Sequence, residues 1–244
     1  MTVTYQVVNL STGGGSNNLL INPRGKINQA NESDGVLSAG QYFCDGWKAG
    51  GAGAEVYRDS DGFRLISGSI VQLVPNNLDV GRQIRGNMDI ISGTPIIRIN
   101  GGGDDELSNT QPYITFEVVG DNSKFTRLVL AESVESPIYQ QLKDELRPCL
   151  KFYTKKARIL FNTVGHAYNN YLPYTIFIKE TYLELMHKIP AVSLKVTSGE
   201  NLDVTSYFLN AWITESGFVA RNDFSSWLAE SPDVFVEYVA DARP

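Results

Sequence analysis

Few residues of this 244-residue chain have the types and spacing that catalysis requires. Nucleophilic catalysis needs a serine or cysteine beside a histidine base that an acid or amide orients. The sequence contains two histidines, His166 and His187, and two cysteines, Cys44 and Cys149. Cys149 with His166 and Asn169 is the combination that comes nearest, and it lacks a recognisable local signature. A buried thiol and a surface histidine account for the same residues, so the sequence predicts no catalytic site.

Candidate ligands for metals and phosphates are equally sparse. The histidines and cysteines do not have the spacing typical of zinc ligands. The acidic glycine run Gly101–Glu106, with Asp104 and Asp105, offers carboxylates on a flexible turn, which suits calcium, and a solvated hairpin tip explains it as well. The glycine runs at 13–15 and 50–53 lack the Gly-Lys-Ser/Thr of a phosphate loop and predict turns. We therefore expect no metal and no cofactor.

One segment combines the side chains that bind sugars. Tyr168 and Tyr171 flank Asn169 and Asn170 in a loop-like stretch. Aromatic rings stack on the apolar C–H faces of sugars, and amide side chains donate to and accept from sugar hydroxyls. Trp227 lies in a second loop-like stretch and is a further candidate. The alternative is a hairpin turn at the two asparagines, with tyrosines that pack on neighbouring strands and a tryptophan that anchors its loop.

The elements that must position these residues are mostly β-strands. From Leu19 to about Ser133, apolar and polar residues alternate with period two, as in Tyr113–Val118 and Phe125–Leu130. Three more candidate strands complete this part of the chain: Phe63–Val74, Gln83–Ile91 and Pro95–Ile99. Because turn formers separate these short strands at short intervals, the sequence predicts an antiparallel sandwich.

A helical period interrupts the strands once. Ser136 and Pro137 supply a cap and a first-turn proline. Apolar residues then recur at helical spacing: Ile138, Leu142, Leu146 and Cys149. Pro148 should end the helix because it lacks an amide donor, so we predict a helix over residues 137–147. Strand-like stretches resume after Phe152: Tyr174–Ile178, Val192–Val196, Ser206–Ile213 and Val234–Val239.

Charge and hydropathy narrow the class of partner. The formal net charge of −6 argues against duplex nucleic acid, since phosphate binding needs a clustered basic surface. The sequence contains neither a signal-peptide pattern nor an apolar run of about 18 residues, so we expect no membrane insertion. The first residues carry a glycine-serine-asparagine stretch at 13–18, which is either a flexible tether or a long loop.

Two motifs near the start of the chain are informative in combination. An Asn-Leu-Leu-Ile-Asn opening at 18–22 precedes the stretch Gly40–Trp47, which ends in Tyr-Phe-Cys-Asp-Gly-Trp. This pair resembles the start of a carbohydrate-binding-like jelly roll found in bacteriophage tail fibres. In such a sandwich Tyr42 and Trp47 would be core or rim aromatics, and Asn22 would form a turn.

Three further motifs follow in the second part of the chain. Glu145–Tyr153 precedes a Ser-Gly-Phe turn at 216–218 and the terminal stretch Val236–Arg243. Their order resembles the C-terminal region of bacteriophage tail-fibre proteins. Pro148 stands where that family usually continues its helix, and the chain ends in Arg-Pro where family members often have Glu-Leu.

The strand pattern and the resemblance together predict an all-β protein. We expect an N-terminal tether or virion-attachment segment at 1–18 and a jelly-roll-like, carbohydrate-binding-like antiparallel sandwich at 19–134. A short linking helix at 135–150 then leads to a second, smaller β-sandwich at 151–244 that binds the receptor.

The resemblance further implies a non-enzymatic tail-fibre or receptor-binding protein. It would be made in the host cytoplasm and carried on the virion, on its tail or capsid surface, as a homotrimer. It would attach to other virion proteins through its N-terminal segment and bind host-surface polysaccharide or lipopolysaccharide. The alternatives are a structural virion protein, such as a head fibre, decoration or baseplate component, and a polysaccharide-degrading enzyme with an acid pair across a cleft.

Overall fold

The computed structural model describes residues 17–162, 174–196, 212–224 and 233–244. Within these ranges the chain is all-β, its strands pair in antiparallel fashion, and its helical part is the short α1 (Leu146–Cys149). A nine-stranded sheet forms the first lobe, and two three-stranded sheets form the second lobe. The predicted fold class, a jelly-roll-like sandwich followed by a smaller β-sandwich, is confirmed.

The strand bounds match most of the sequence pattern. The first lobe contains β1 (Gly35–Leu37), β2 (Tyr42–Cys44), β3 (Trp47–Asp59), β4 (Gly62–Pro75), β5 (Gln83–Ser92), β6 (Ile96–Ile99), β7 (Asp105–Leu107), β8 (Tyr113–Val119) and β9 (Ser123–Glu132). The second lobe contains β10 (Tyr153–Asn162), β11 (Tyr174–Thr181), β12 (Ala191–Val196), β13 (Trp212–Ile213), β14 (Gly217–Phe224) and β15 (Asp233–Asp241). The five strands predicted before residue 134 are confirmed, as are three of the four predicted after it. Of the fourth, Ser206–Ile213, the described residues include only β13.

The first lobe becomes a sandwich because two long strands belong to both of its layers. The first part of β4 pairs with β9 through Phe63–Leu65, and its second part pairs with β8 through Ser69–Pro75. The partner strand β3 changes its register on β4 between Ala49 and Ala54. One layer is therefore built on β8 and β6, and the other on β9, β5 and β7.

Glycines make the corner at which these strands change layers. Gly53 and Gly68 have φ angles of +82° and +85°, in the left-handed region. A Cβ added to Gly68 would lie 2.4 Å from the carbonyl oxygen of Gly53, so the two backbones touch where the strands bend. The prediction that the run at 50–53 is a turn was wrong. The run lies inside β3, where it forms the bend of a strand that passes from one sheet to the other.

Aromatic side chains fill the space between the two layers. Trp47 is fully buried, and its ring lies 5.3 Å from that of Phe63 and 6.1 Å from that of Phe116. Phe125 joins the same stack, 5.8 Å from Phe63. Residues of β8 alternate strictly between buried and half-buried, as the period of its sequence predicts.

The connector between the lobes is not the helix that the sequence predicts. Residues 137–145 have no helical hydrogen bonding, and α1 covers only four residues around Pro148. A proline inside a helix removes a hydrogen bond and crowds the carbonyl four residues earlier, whereas it is tolerated in the first turn. The helix therefore starts at Leu146, where the Asp144 carboxylate accepts hydrogen bonds from the amides of Leu146 and Arg147 at 3.1 and 3.2 Å.

The second lobe is a smaller sandwich of two sheets. One sheet has the order β10-β15-β12, and the other has the order β11-β14-β13. Phe218 on β14 and Tyr238 on β15 bring the two sheets together, with ring centroids 5.1 Å apart. Tyr182 packs against both rings at 6.3 Å.

Candidate functional site

The two lobes meet where the terminal motif touches the opening motif. The Arg243 guanidinium lies between the rings of Tyr42 in the first lobe and Tyr153 at the start of β10, 4.3 and 4.7 Å from their centroids. The Tyr42 hydroxyl donates to the carbonyl oxygen of Pro244 at 2.7 Å, and Lys48 Nζ donates to the same oxygen at 3.0 Å. Residues 241–244 are thus held by a cradle on the first lobe, which we call the tail cradle (Glu32, Tyr42 and Lys48).

Electrostatics strengthen the tail cradle. Arg243 donates to Glu32 at 2.6 Å and to Asp241 at 2.8 Å. Burial lowers the pKa of Arg243, but the hydrogen bonds that Arg243 donates to Asp241 and Glu32 outweigh that effect and hold its pKa above the usual value. The guanidinium is therefore charged at neutral pH, as its pairing with Glu32 and Asp241 requires.

A second group of contacts lies beside the tail cradle. The Tyr113 hydroxyl hydrogen-bonds with His187 Nε2 at 3.0 Å, and the His187 ring also packs 5.3 Å from Phe152. The His187 amide donates to the carbonyl of Lys151 at 2.7 Å. Burial, and then the neighbouring charge of Lys188, lower the pKa of His187. This histidine is therefore neutral when the lobes are docked at neutral pH.

Residues of the opening motif stabilise the first lobe and also link it to the second lobe. Asn22, with φ of +48°, forms the expected turn, and its carbonyl accepts from Trp47 Nε1 at 2.9 Å. The Asp45 carboxylate accepts from the amide and side chain of Gln29 at 2.7 and 2.6 Å. Gln29 Nε2 also donates to the carbonyl of Tyr153 at 2.9 Å, which ties this buried network to the second lobe. Burial raises the pKa of Asp45, while the hydrogen bonds from Gln29 oppose that shift.

The described residues offer little for nucleophilic or metal chemistry. Burial raises the pKa of both thiols, Cys44 and Cys149, so neither is primed as a thiolate. The described residues contain no group of three or more His, Cys, Asp or Glu side chains that could hold a metal. In the acidic run after β6, Glu106 accepts from the amide of Gly103 at 2.9 Å and Asp105 pairs with Arg85 at 2.7 Å. The run is not the hairpin tip offered as the alternative, because β6 pairs with β8 whereas β7 pairs with β5. A crevice at the junction, lined in part by Ile21 and Phe152, has a volume of about 10 Å³, room for a single water.

The opposite end of the second lobe gathers the ends of its strands. In one sheet, Asn162 at the end of β10 pairs with Asp233 at the start of β15. In the other sheet, Tyr174 at the start of β11 pairs with Phe224 at the end of β14. These four residues lie at the ends of their strands farthest from Tyr153, Asp241 and the tail cradle. We call this the distal end.

Two connections between the sheets begin and finish at the distal end, and a third begins near it. Segment 163–173 joins β10 to β11, and segment 225–232 joins β14 to β15. Segment 197–211 leaves β12 after Val196, which pairs with Val236 near the same end. Because β10 and β11 belong to different sheets, segment 163–173 connects two sheets and does not close a hairpin between adjacent strands.

The predicted sugar-binding residues belong to two of these connections. Tyr168, Asn169, Asn170 and Tyr171 are part of segment 163–173, and Trp227 is part of segment 225–232. All five lie outside the described residues, as do His166 and Asn169 of the catalytic alternative. The described strands nevertheless fix the points from which both segments leave, and those points share the distal end.

The sequence does not predict the tail cradle. Glu32 and Arg243 are separated by 211 positions, and neither forms part of a local pattern that would pair them. The sequence does contain one hint. Arg243 lies two residues after the acidic Asp241, and arginine forms strong paired hydrogen bonds with carboxylates. By contrast, the expectation that Tyr42 and Trp47 are rim and core aromatics is confirmed.

Comparisons with protein-family models, with curated proteins and with solved structures find no match. The helical part of the described chain is far too short to cross a bilayer. Geometry and residue chemistry therefore carry the functional argument.

Proposed function

We propose that this protein is a bacteriophage tail-fibre or receptor-binding protein. It attaches the virion to a glycan on the host surface, either polysaccharide or lipopolysaccharide, and it breaks no bonds. The second lobe carries the binding surface at its distal end, and the first lobe supports it through the tail cradle. The protein acts as a homotrimer, which multiplies weak single-site affinity through multivalency.

The observation that carries the proposal is the shared origin of the two sugar-binding segments. The strands that flank segments 163–173 and 225–232 end at Asn162, Tyr174, Phe224 and Asp233, and these four residues lie at one end of the lobe. That end points away from the junction, so a ligand there would not compete with the docking of the lobes. Loops at one end of a rigid sandwich are a common location for recognition residues.

The behaviour of the motif residues gives further support. Tyr42 from the opening motif and Tyr153 and Arg243 from the later motifs meet at one junction, and Asp45 is linked to Tyr153 there through Gln29. Motifs that are distant in sequence are therefore parts of one structural unit. Such a unit is what the resemblance to tail-fibre proteins leads us to expect.

The test is a glycan array with the purified protein, extended to polysaccharide and lipopolysaccharide extracts of candidate hosts. Tyr168→Ala, Tyr171→Ala and Trp227→Ala should each weaken binding about tenfold, as the loss of an aromatic contact of about 1.4 kcal/mol implies. Asn169→Ala and Asn170→Ala should weaken it by a smaller factor, since each removes one net hydrogen bond of about 1 kcal/mol.

The matched control is Tyr57→Ala. Tyr57 is a half-buried tyrosine on β3 in the first lobe, far along the chain from the distal end, and its loss should leave glycan binding unchanged. Equal weakening by Tyr57→Ala would move the binding surface to the first lobe. Failure of the wild-type protein to bind any host glycan would reject the receptor role and favour a structural virion protein. New reducing ends in the incubated polysaccharide would instead identify an enzyme.

A further inference from the structure

The connector between the lobes contains a short loop that is open to solvent. Residues 140–144 are exposed at five successive positions and have no regular secondary structure. Within the described part of the chain, the backbone groups of these residues make no hydrogen bond with other protein groups. Exposed backbone without hydrogen bonds opens at little cost in free energy, and such loops are the preferred sites of proteolytic cleavage. We call residues 140–144 the connector loop.

Both ends of the connector loop are fastened to the first lobe. The Tyr139 hydroxyl donates to Glu145 Oε1 at 2.9 Å, and the same carboxylate pairs with the buried Arg24 at 2.7 Å. Before the loop, the carbonyl of Pro137 accepts from the side chain of Asn87 on β5 at 2.8 Å. Because Tyr139 and Glu145 lie on either side of the loop, the loop can open without breaking the contacts that anchor it.

The connector loop contains one basic residue. Lys143 is exposed, and it forms no ion pair or hydrogen bond with other described residues. The carboxylate of the next residue, Asp144, accepts from the amides of Leu146 and Arg147 at 3.1 and 3.2 Å, which engages its charge at the start of α1. A protease with an acidic specificity pocket can therefore bind the Lys143 side chain and cut the bond that follows.

Other basic residues are less suited to cleavage. All 21 lysines and arginines of the chain lie in the ranges that the structure describes. Apart from Lys143, those that are exposed and lie outside the strands and α1 are Lys26, Arg82, Lys151 and Lys188. Arg82 and Lys151 make backbone hydrogen bonds, and Lys26 and Lys188 adjoin residues that make them. Basic residues in strands are protected further, since cleavage there requires the sheet to open.

We propose that the connector loop is a proteolytic cleavage site, at which a protease specific for basic residues hydrolyses the bond between Lys143 and Asp144. Water adds across the carbon–nitrogen bond, so residue 143 gains a carboxylate and residue 144 gains an amino group. The inference goes beyond the proposed function and does not rest on it.

The two fragments, residues 1–143 and 144–244, stay together after the cut. Arg24 and Glu145 lie on opposite sides of the cut bond and pair at 2.7 Å. The tail cradle lies on the first fragment and holds Arg243 of the second. Cleavage therefore converts the second lobe from a covalently attached unit into one that is held by non-covalent contacts alone.

The test is limited digestion of the folded, full-length protein with trypsin, which cuts after lysine and arginine. The first products should be residues 1–143 and 144–244, identified by mass spectrometry. On size-exclusion chromatography without denaturant, the two fragments should elute together at the position of the uncut protein. They should separate in urea.

Variants at position 143 identify the bond. Lys143→Gln removes the cation and should lose the first cleavage, whereas Lys143→Arg keeps the cation and should be cut at the same bond. The matched control, Lys188→Gln, removes another exposed lysine and should leave the first cleavage unchanged. Because Lys143 is exposed and unpaired within the described residues, neither of its variants should change the circular dichroism spectrum.

Each outcome decides the matter. A first cut at Lys26, Arg82, Lys151 or a strand would overturn the inference, as would unchanged cleavage of Lys143→Gln. Fragments that separate without denaturant would overturn the claim that the lobes stay docked after the cut. A protein that is cut first after Lys143 yet binds no glycan would reject the receptor role and leave this inference intact.

Discussion

The two lobes share a β-sandwich architecture but differ in what stabilises them. The first lobe has a continuous core, a cluster of buried residues that extends from Leu20 to Leu130 and centres on Trp47. The described core of the second lobe is small and rests on Tyr182, Phe218 and Tyr238. The tail cradle ties the second lobe to the first, so we expect the stability of the second lobe to depend on this docking more than that of the first. Small sandwiches commonly need such external support.

The largest expected effect tests the core of the first lobe. Trp47→Ala removes a fully buried ring and its hydrogen bond to the Asn22 carbonyl. We expect a loss of about 3–5 kcal/mol in the free energy of unfolding, measured by chemical denaturation. Because the second lobe rests on the first, hydrogen exchange should accelerate in both lobes.

The control for this comparison is Val36→Ala, at a position that is 82% exposed. It should change the free energy of unfolding by less than about 0.5 kcal/mol. If Trp47→Ala accelerates exchange in the first lobe alone, the second lobe folds independently and the comparison fails.

A smaller effect, confined to one lobe, should follow Arg243→Ala. The variant removes the paired guanidinium that lies between Tyr42 and Tyr153 and leaves Glu32 without its partner. The loss should be about 2 kcal/mol. Hydrogen exchange should accelerate in β10, β12 and β15 while the strands of the first lobe keep their protection.

Two variants calibrate that result. Arg243→Lys keeps the charge but loses the planar stacking and the forked hydrogen bonds, so it should lie between the wild type and Arg243→Ala. Arg147→Ala breaks the exposed ion pair with Glu184 and should cost less than about 1 kcal/mol. Equal costs for Arg147→Ala and Arg243→Ala would mean that the tail cradle is an ordinary surface contact.

The smallest expected effect is a dependence of docking on pH. Burial, and then the charge of Lys188, lower the pKa of His187 in the folded protein below the usual histidine pKa of about 6.5. The unfolded state therefore binds a proton more readily, so stability is fully present above about pH 6.5 and falls as the pH drops toward the folded pKa. Hydrogen exchange at the start of β10 should accelerate below that pH.

The two histidines allow a matched comparison. His187→Gln should remove the acid dependence, because glutamine can still accept from Tyr113 but does not titrate. His166→Gln should leave it unchanged. A profile that is the same in all three proteins would assign the effect to other groups.

Local patterns predicted much of the fold. The alternation in Tyr113–Val118 and Phe125–Leu130 predicts strands with nearly the observed bounds. In β8 every second residue is buried, as the period implies, whereas β9 is buried at every position from Phe125 to Leu130 except Arg127. The prediction of a helix at 137–147 was wrong. The apolar residues that suggested it, Ile138, Leu142 and Leu146, are exposed, so no core packing stabilises a helix there. The helix that forms, α1, starts at Leu146 and has Pro148 in its first turn. The prediction of a turn at 50–53 fails because sequence alone does not distinguish glycines that close a hairpin from glycines that bend a strand.

The candidate site was less accessible to sequence. Residue types at 168–171 indicate sugar binding, but the convergence of segments 163–173 and 225–232 at one end depends on which strands pair. Pairing between β10 and β15 joins residues about eighty positions apart, which no local pattern encodes. The partnership of Glu32 and Arg243 was out of reach for the same reason.

The separation of Glu32 and Arg243 by 211 positions also orders events during synthesis. The first lobe is complete once β9 has been made, and 111 positions separate Glu132 at its end from Arg243. At a translation rate of about 5–20 residues per second, the first lobe waits roughly 5–20 seconds for the arginine that completes its contact with the second. The nascent chain therefore has time to finish its larger sandwich before the last residues leave the ribosome. Arg243 then binds to a tail cradle whose lobe has already folded.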